Sequence, residues 1–508
     1  MNRFQLRGAI AALAFSAVCG AFAAPFTPGN LVVLQVGADG GPALTNAAQP
    51  IFLKEYTTGG VLVQTITIPS VGPGNRLTQS GTATSEGHLQ LGTLGLTLVG
   101  YNADAGTASV VSTTSAVASR MVGVVDLSGN LDLSTALTDA YSGNNIRSAV
   151  SGPSNGLWTA GTASAANNPG VRYTPLAGTT STQLSTTVTN IRVVEIYNGQ
   201  LYCSTQSGSN IGVNSVGTGL PTASGETISL LPGITNDVVN ATNQSPYDFT
   251  FFNDSTLYVA DDRTTTNGGG LIKYTKDSFG VWSVAYRLQL GLPTGFTGTR
   301  SVSIVGTDGS GNAILAVAAG QQNESATASN AILIITDTGA LSMFSTVATS
   351  PTNTKFRGVV TIPSAQKTFS GTINLASYVG NPSARAITFE VVDGTNTTVQ
   401  TQTLNLDGSN GYSFSTSVAD GSYDVFVKGT TWLRKKVASV NVTSTGATVS
   451  TTLDYNGDLD NNNVIDSDDF DILVADFGGN GPGDVDGSGT TDSDDFDILV
   501  ANFGLGGD

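Results

Sequence analysis

The sequence predicts a mainly β protein with a small helical end, and three observations predict it. Gly, Thr, Ser and Val dominate the 508 residues, and short β-branched runs are broken throughout by Gly, Asn and Asp. Between residues 24 and 365 these runs recur in a loose repeat, each long enough for several strands. From Leu453 onward fifteen Asp occur with no Lys or Arg, which leaves 23 of the 38 acids against 21 bases in the rest of the chain. The net charge of −17 is therefore a property of the tail, where carboxylates repel one another unless cations neutralise them. No basic stripe is present, so no nucleic-acid partner is expected.

The N-terminus sets the expected compartment. Arg3 and Arg7 give a basic start, Ala9 to Val18 an uncharged apolar run, and Ala21-Phe22-Ala23 a small-x-small site. That order predicts a secretory signal over residues 1–23, too short to span a membrane. Val18 is a poor residue ahead of a lipidated Cys19, so no lipid anchor is expected. Cys203 would then be the one cysteine of the mature chain, which precludes an intramolecular disulfide. No later run is long and apolar enough for a membrane span, and a secreted, extracellular or cell-surface protein is expected.

Residues 24–365 carry the repeat. Apolar alternation follows an arginine in one register at Arg120-Met-Val-Gly-Val-Val, Arg147-Ser-Ala-Val, Arg192-Val-Val-Glu-Ile-Tyr, Arg300-Ser-Val-Ser-Ile and Arg357-Gly-Val-Val-Thr. Glu86-Gly-His-Leu-Gln-Leu and Tyr247-Asp-Phe-Thr-Phe-Phe fit with the arginine replaced. Turn pairs such as Asn198-Gly199 and Asn253-Asp254 separate the central starts from a next strand. Seven starts in about 340 residues give about 49 residues each, the length of a four-stranded propeller blade. Only one strand follows Arg357, while Asn30 to Gly37, Ile51 to Tyr56 and Val61 to Pro69 precede the first start. One C-terminal and three N-terminal strands would complete a shared blade and remove the open edges. The region resembles the seven-bladed β-propellers of secreted bacterial proteins; a series of sandwiches or a β-helix is the alternative.

Residues 369–453 read as six strands: Ser370 to Leu375, Ala386 to Val392, Val399 to Leu406, Tyr412 to Val418, Tyr423 to Val427 and Leu433 to Val442. Asp407-Gly408 and Asp420-Gly421 mark turns. This count suits an immunoglobulin-like sandwich, and the segment resembles the spacers that precede docking tails in large secreted bacterial proteins.

Residues 454–508 explain the acidity. Asp458-Leu-Asp-Asn-Asn-Asn-Val-Ile-Asp-Ser-Asp-Asp469 offers side-chain oxygens at Asp458, Asp460, Asn462, Asp466 and Asp469 and the carbonyl of Val464. Twenty-six residues on, Asp484, Asp486, Ser488, Asp492 and Asp495 repeat the pattern with the carbonyl of Thr490. Calcium takes six to eight hard oxygens, and this alternation aims them at one centre, so two calcium ions are expected. Each loop runs into Phe-Asp-Ile-Leu-Val-Ala-(Asp/Asn)-Phe-Gly, a short helix ending near Gly478 or Gly504. The duplicated loop–helix unit resembles the dockerin module of cellulosomal proteins, over about a tenth of the chain. Asn463 stands where the loop usually has Gly, and Asn also visits the left-handed region. Ser488 and Thr491 make the second loop look the weaker. The resemblance implies a cohesin-like or cell-surface partner, contacted through Ser467-Asp468 and Ser493-Asp494.

Catalytic constellations are weak. Gly152-Pro-Ser154-Asn-Gly156 matches a nucleophile elbow but sits among strands, and His88 precedes it. Asp261-Asp262 could serve glycoside chemistry, yet neighbours in a strand point to opposite faces. Arg120, Arg147, Arg192, Arg300 and Arg357 are the sharper feature. On innermost strands they would face one channel mouth and suit an acidic glycan; paired with acids or carbonyls they would only lock blades. The function expected is a secreted calcium-binding modular protein: a propeller interaction surface, a spacer and a docking or anchoring tail. The alternative is an extracellular polysaccharide-degrading enzyme, or an accessory subunit, assembled through that tail.

Overall fold

The computed structural model describes residues 24–292, 297–308, 310–320, 329–363, 367–416, 418–443 and 445–508. The secretory signal expected over residues 1–23 lies outside them. The protein is mainly β and divides between Ile362 and Pro363 into two compact units. Among the described residues no helix is long and apolar enough to cross a membrane.

The first unit holds six four-stranded antiparallel sheets. Their innermost strands are Gln90–Gly92, Ile146–Ser151, Ile191–Tyr197, Pro246–Asn253, Thr297–Thr307 and Lys355–Thr361. Each lies at one end of its sheet, and successive ones pack on each other. The ring closes where Gly358 meets the backbone of residues 87–89. A Cβ at Gly358 would stand 2.6 Å from the Gly87 oxygen and the Leu89 nitrogen, so only glycine permits that approach. Five sheets are meanders. The sixth pairs Lys355–Thr361 with Leu31–Val36, then Ile51–Tyr56 and Leu62–Thr67, so both ends of the unit share one sheet. Apolar side chains fill the gaps between neighbours: Val150, Trp158 and Val171 pack with Val194, Leu201 and Cys203. The arrangement is propeller-like.

Seven blades are expected from the sequence, and six are present among the described residues. The surplus start is Arg120. Arg120–Val125 is the third strand of the sheet begun by Gln90–Gly92, between Gly95–Tyr101 and Leu131–Leu137. An arginine ahead of an apolar run gives it the look of an inner strand. All six of its residues are buried, as in a strand covered on both faces, and alternation cannot tell such strands apart.

A hydrogen-bonded carboxylate crosses the ring. Asp248, from the inner strand Pro246–Asn253, accepts from Nε2 of Gln90 on the inner strand Gln90–Gly92 at 3.1 Å. It also accepts from Oγ of Ser301 at 2.9 Å, from the Val302 nitrogen at 3.1 Å and from the Phe249 nitrogen at 3.0 Å. Three blades thus share one buried side chain.

The second unit begins with a sandwich. One sheet joins Gly411–Thr416 to Lys367–Leu375, which pairs in parallel with Gly446–Thr448 and Thr451–Leu453. The other runs Thr398–Asn405, Ala386–Val392, Gly421–Gly429, Lys435–Val442. Phe369, Phe389, Tyr412, Phe414, Val425, Val427 and Trp432 pack in the core. Helices α1 (Ser467–Asp476) and α2 (Ser493–Asn502) follow in the same unit.

Replacing Asp248 by Ala strands four buried donors, so the first unit should lose about 3 kcal/mol or more of stability. Denaturant unfolding followed by Trp158 and Trp282 emission tests this; an unchanged midpoint would show that the carboxylate carries no such weight.

Candidate functional site

Two matched acidic loops form the first site. Carboxylate oxygens of Asp458, Asp460 and Asp469 lie within 4.8 Å of one another, and those of Asp484, Asp486 and Asp495 do likewise. In the first loop Oδ2 of Asp458 accepts from the Asn463 nitrogen at 3.1 Å, and in the second Oδ2 of Asp484 accepts from the Gly489 nitrogen at 3.0 Å. Oδ1 of both residues is buried and has no hydrogen-bond partner. A buried carboxylate oxygen without a donor is costly unless a cation faces it. Each orphan therefore points to a cation position, and the oxygen-only donor set suits a hard divalent ion. Asn463 has φ 71°, the left-handed conformation its position requires.

The loop ends are also helix caps. Asp466 and Asp492 accept from the nitrogens of Asp468 and Asp494, while Asp469 and Asp495 reach back to the nitrogens of Asp466 and Asp492. Burial, opposed by backbone donors, holds the Asp495 carboxyl above its ordinary range. Ten-residue helices are marginal alone, and few apolar residues support these: Leu433, Ile465, Leu473 and Leu499 form the buried cluster. Phe470 and Phe496 meet edge-on at 5.9 Å. Ser467, Asp468, Ser493 and Asp494 occupy the first helical turns and are exposed. Loop 5-7 chemistry differs between the copies: Oγ of Ser488 donates to the Thr490 carbonyl at 3.3 Å, whereas Asn462 donates to Asp460 at 3.0 Å.

The mouth of the first unit, the end of the ring where the inner strands begin, is the second site. Four of the five sequence-selected arginines, Arg147, Arg192, Arg300 and Arg357, stand on four different inner strands. The remaining two inner strands bring Tyr247 and, just before Gln90, His88. The guanidinium of Arg192 lies 3.8 Å over the Tyr247 ring, and that of Arg300 lies 5.4 Å from it. His88 sits 5.8 Å from the same ring. Burial, then the charges of Arg192, Arg147, Arg300 and Arg357, push the His88 pKa down to about 3. Burial and the neighbouring Arg192 push Arg147 down to about 10.

These arginines also hold the blades. Arg147 donates to the Ile191 carbonyl at 3.0 Å, Arg192 to the Pro246 carbonyl at 3.3 Å and Arg357 to the Ser80 carbonyl at 2.7 Å. Arg300 pairs with Asp262 at 3.4 Å, and Arg357 with Glu86 at 3.8 Å. Arg120 is not part of this layer. Its guanidinium donates to the carbonyls of Val111, Thr113, Ala118, Tyr141 and Asn144 and lies over the Tyr101 ring. Sequence reasoning selected the arginines by type and passed over His88 and Tyr247. The register of Tyr247 was legible, because Tyr247-Asp-Phe aligns with the arginine-led segments, whereas that alignment puts Glu86, not His88, in the arginine's place.

The other candidates have plain roles. Ser154 lies at φ 55° in a short turn between Ile146–Ser151 and Gly156–Gly161, not on a strand-to-helix elbow. Asp261 pairs with Arg263 at 2.9 Å, and Asp262 accepts from Ser245 at 2.5 Å, so the two carboxylates serve different neighbours.

No family model and no curated protein matches the chain. Among solved structures, a type II cohesin–X–dockerin complex from Acetivibrio cellulolyticus is 21% identical; it covers 28% of this chain and 97% of that one, with a TM-score of 0.23. A putative 6-phosphogluconolactonase from Bacteroides fragilis is 12% identical over 65% of this chain and 97% of its own, with a TM-score of 0.35. A hypothetical selenium-binding protein from Sulfolobus tokodaii is 10% identical over 66% and 94%, with a TM-score of 0.37. Likeness at this level decides nothing about ligand or partner.

Arg120→Ala would leave five buried carbonyls short of a donor and should destabilise the first unit by about 3 kcal/mol or more. Urea unfolding measures it; a loss under about 1 kcal/mol would contradict a locking role.

Proposed function

We propose that this chain is a secreted, calcium-binding modular protein. Its propeller-like unit is a ligand or protein interaction surface with affinity for acidic glycans, its sandwich is a spacer, and its dockerin-like tail docks on a cohesin-like or cell-surface protein. The observation that carries this reading is the duplicated acidic triad, with one buried, donorless oxygen in each copy, on Asp458 and on Asp484. A cation there neutralises carboxylates that otherwise oppose folding, so binding and folding of the tail are one event. The residues that would hold it are Asp458, Asp460, Asn462, Asp466 and Asp469 with the Val464 carbonyl, and Asp484, Asp486, Ser488, Asp492 and Asp495 with the Thr490 carbonyl. Secretion would supply the millimolar calcium that extracellular modules of this type use.

Calorimetric titration of the chelator-stripped full chain should yield two bound calcium ions. Asp458→Ala and Asp484→Ala should each remove one, and the tail should gain protease resistance with calcium. No calcium heat, or equal cleavage of the tail with and without chelator, would sink the reading.

Fourteen of 21 residues are shared between 458–478 and 484–504, so the tail presents two nearly equal helix starts. On a cohesin-like partner, changing Ser467-Asp468 or Ser493-Asp494 alone should cost less than about threefold in affinity, because the other copy still docks. Changing both should abolish binding. Loss of binding after a single change would rule out the two-way mode.

A further inference from the structure

We propose that the mouth of the propeller-like unit, where the inner strands begin, is a binding site for a small oxyanion, seated between the imidazole of His88 and the guanidinium groups of Arg147 and Arg192. This rests on the reading that this unit is the ligand-binding part of the chain, and it names where and what it binds.

Three observations converge. First, His88 is 1% exposed, and both of its ring nitrogens lack a hydrogen-bond partner. A neutral imidazole has an N–H to donate, and a buried one left unused is an anomaly in a folded protein. Second, Nε of Arg147 is also buried without a partner. Third, the positive charge there is not fully balanced. Glu86 stands by Arg357 and Asp262 by Arg300. Among the described ion pairs Arg147 and Arg192 have no carboxylate within 4.0 Å; their guanidinium groups meet only neutral oxygens, those of Asn190 and Ile191 for Arg147 and of Gln206, Ser245 and Pro246 for Arg192, which also lies on the face of Tyr247.

The acids beneath do not supply the missing charge. Asp248 has both oxygens occupied by four donors, and burial raises its carboxyl to about 7. Burial and the nearby Asp248 push Glu195 well above the ordinary carboxylate range. An oxyanion entering the mouth would accept from the His88 N–H and the guanidinium N–H groups together, in the planar geometry that arginine provides. The chemistry is shared by the carboxylate of a uronic acid and by free sulfate.

His88 is the one histidine of the chain, so its imidazole signals report the site without assignment ambiguity. The test is nitrogen-15 NMR of the full chain, titrated with sulfate, with a uronic-acid trisaccharide and with a neutral trisaccharide. Chloride matches ionic strength throughout. The expected result is a saturable movement of the imidazole signals with sulfate or the uronic acid. No movement is expected with the neutral sugar or with chloride alone. Added salt should weaken the effect, and Arg192→Gln should raise the dissociation constant about tenfold. Tighter binding of the trisaccharide than of sulfate assigns the site to an acidic glycan; the reverse assigns it to a free anion. Signals that no anion moves, or that the neutral sugar moves equally, overturn the proposal on the unmodified protein, whatever the variants do. Calorimetry on the same samples separates the two readings. Uronic-acid binding that leaves His88 unmoved defeats this site and keeps the ligand-binding unit. No binding of either anion defeats both.

Discussion

One carboxylate fixes the axis of the propeller-like unit. Asp248 reaches across the ring to Gln90, 158 residues away in sequence, and holds Ser301 and Val302 of the neighbouring blade. Burial disfavours its charge, while four donors favour it. The balance is possible only because both oxygens are saturated, which is the condition for keeping a polar network in an interior. The same side chain ties opposite blades together next to the layer that holds His88, Tyr247 and the arginines. Neighbouring strand residues alternate in direction, which is how Tyr247 and Asp248 serve two different levels.

Local patterns were legible, and long-range ones were not. The sandwich strand Ala386–Val392 matches its alternation residue for residue, and the others agree to within a few residues. The helices start where Asp466 and Asp492 cap them and stop ahead of Gly478 and Gly504, whose φ values are 82° and 83°. Those are interactions within four or five residues. The blade count failed at Arg120, because a strand buried on both faces carries the apolar run of an inner strand without its place. The mouth was half legible. Register put Tyr247 in line with the arginines, but nothing in residue type announces that a tyrosine ring will lie against two guanidinium groups. The Gln90–Asp248 bond had no local signature at all.

In the acidic tail, chemistry does the work that apolar volume does elsewhere. The tail has four buried apolar residues in its cluster, one of them Leu433 from the sandwich. It leans on polar ties as well: Asn456 donates to the Val485 carbonyl at 2.8 Å, and the Val379 nitrogen to the Asp486 carbonyl at 2.7 Å. So small a core leaves little to oppose the repulsion of the acidic loops. The loop aspartates answer this twice over, since the residues at the ninth and twelfth positions also cap the helices that follow.

The two loops nevertheless differ in how their first aspartate is compensated. Lys428 of the sandwich donates to Oδ2 of Asp458 at 2.6 Å and to the Trp432 carbonyl at 2.9 Å. Asp484 has no such cation among the described ion pairs; Arg385 reaches only its backbone carbonyl, at 2.9 Å. The ligand set favours the first loop, where Asn462 stands in place of Ser488. Charge acts the other way, because an ammonium on Asp458 has already removed part of the field that draws a divalent ion. The sandwich is thus more than a tether for the first loop. It supplies a fixed positive charge that steadies Asp458 through the oxygen that already accepts from Asn463, while Oδ1 stays buried and without a donor.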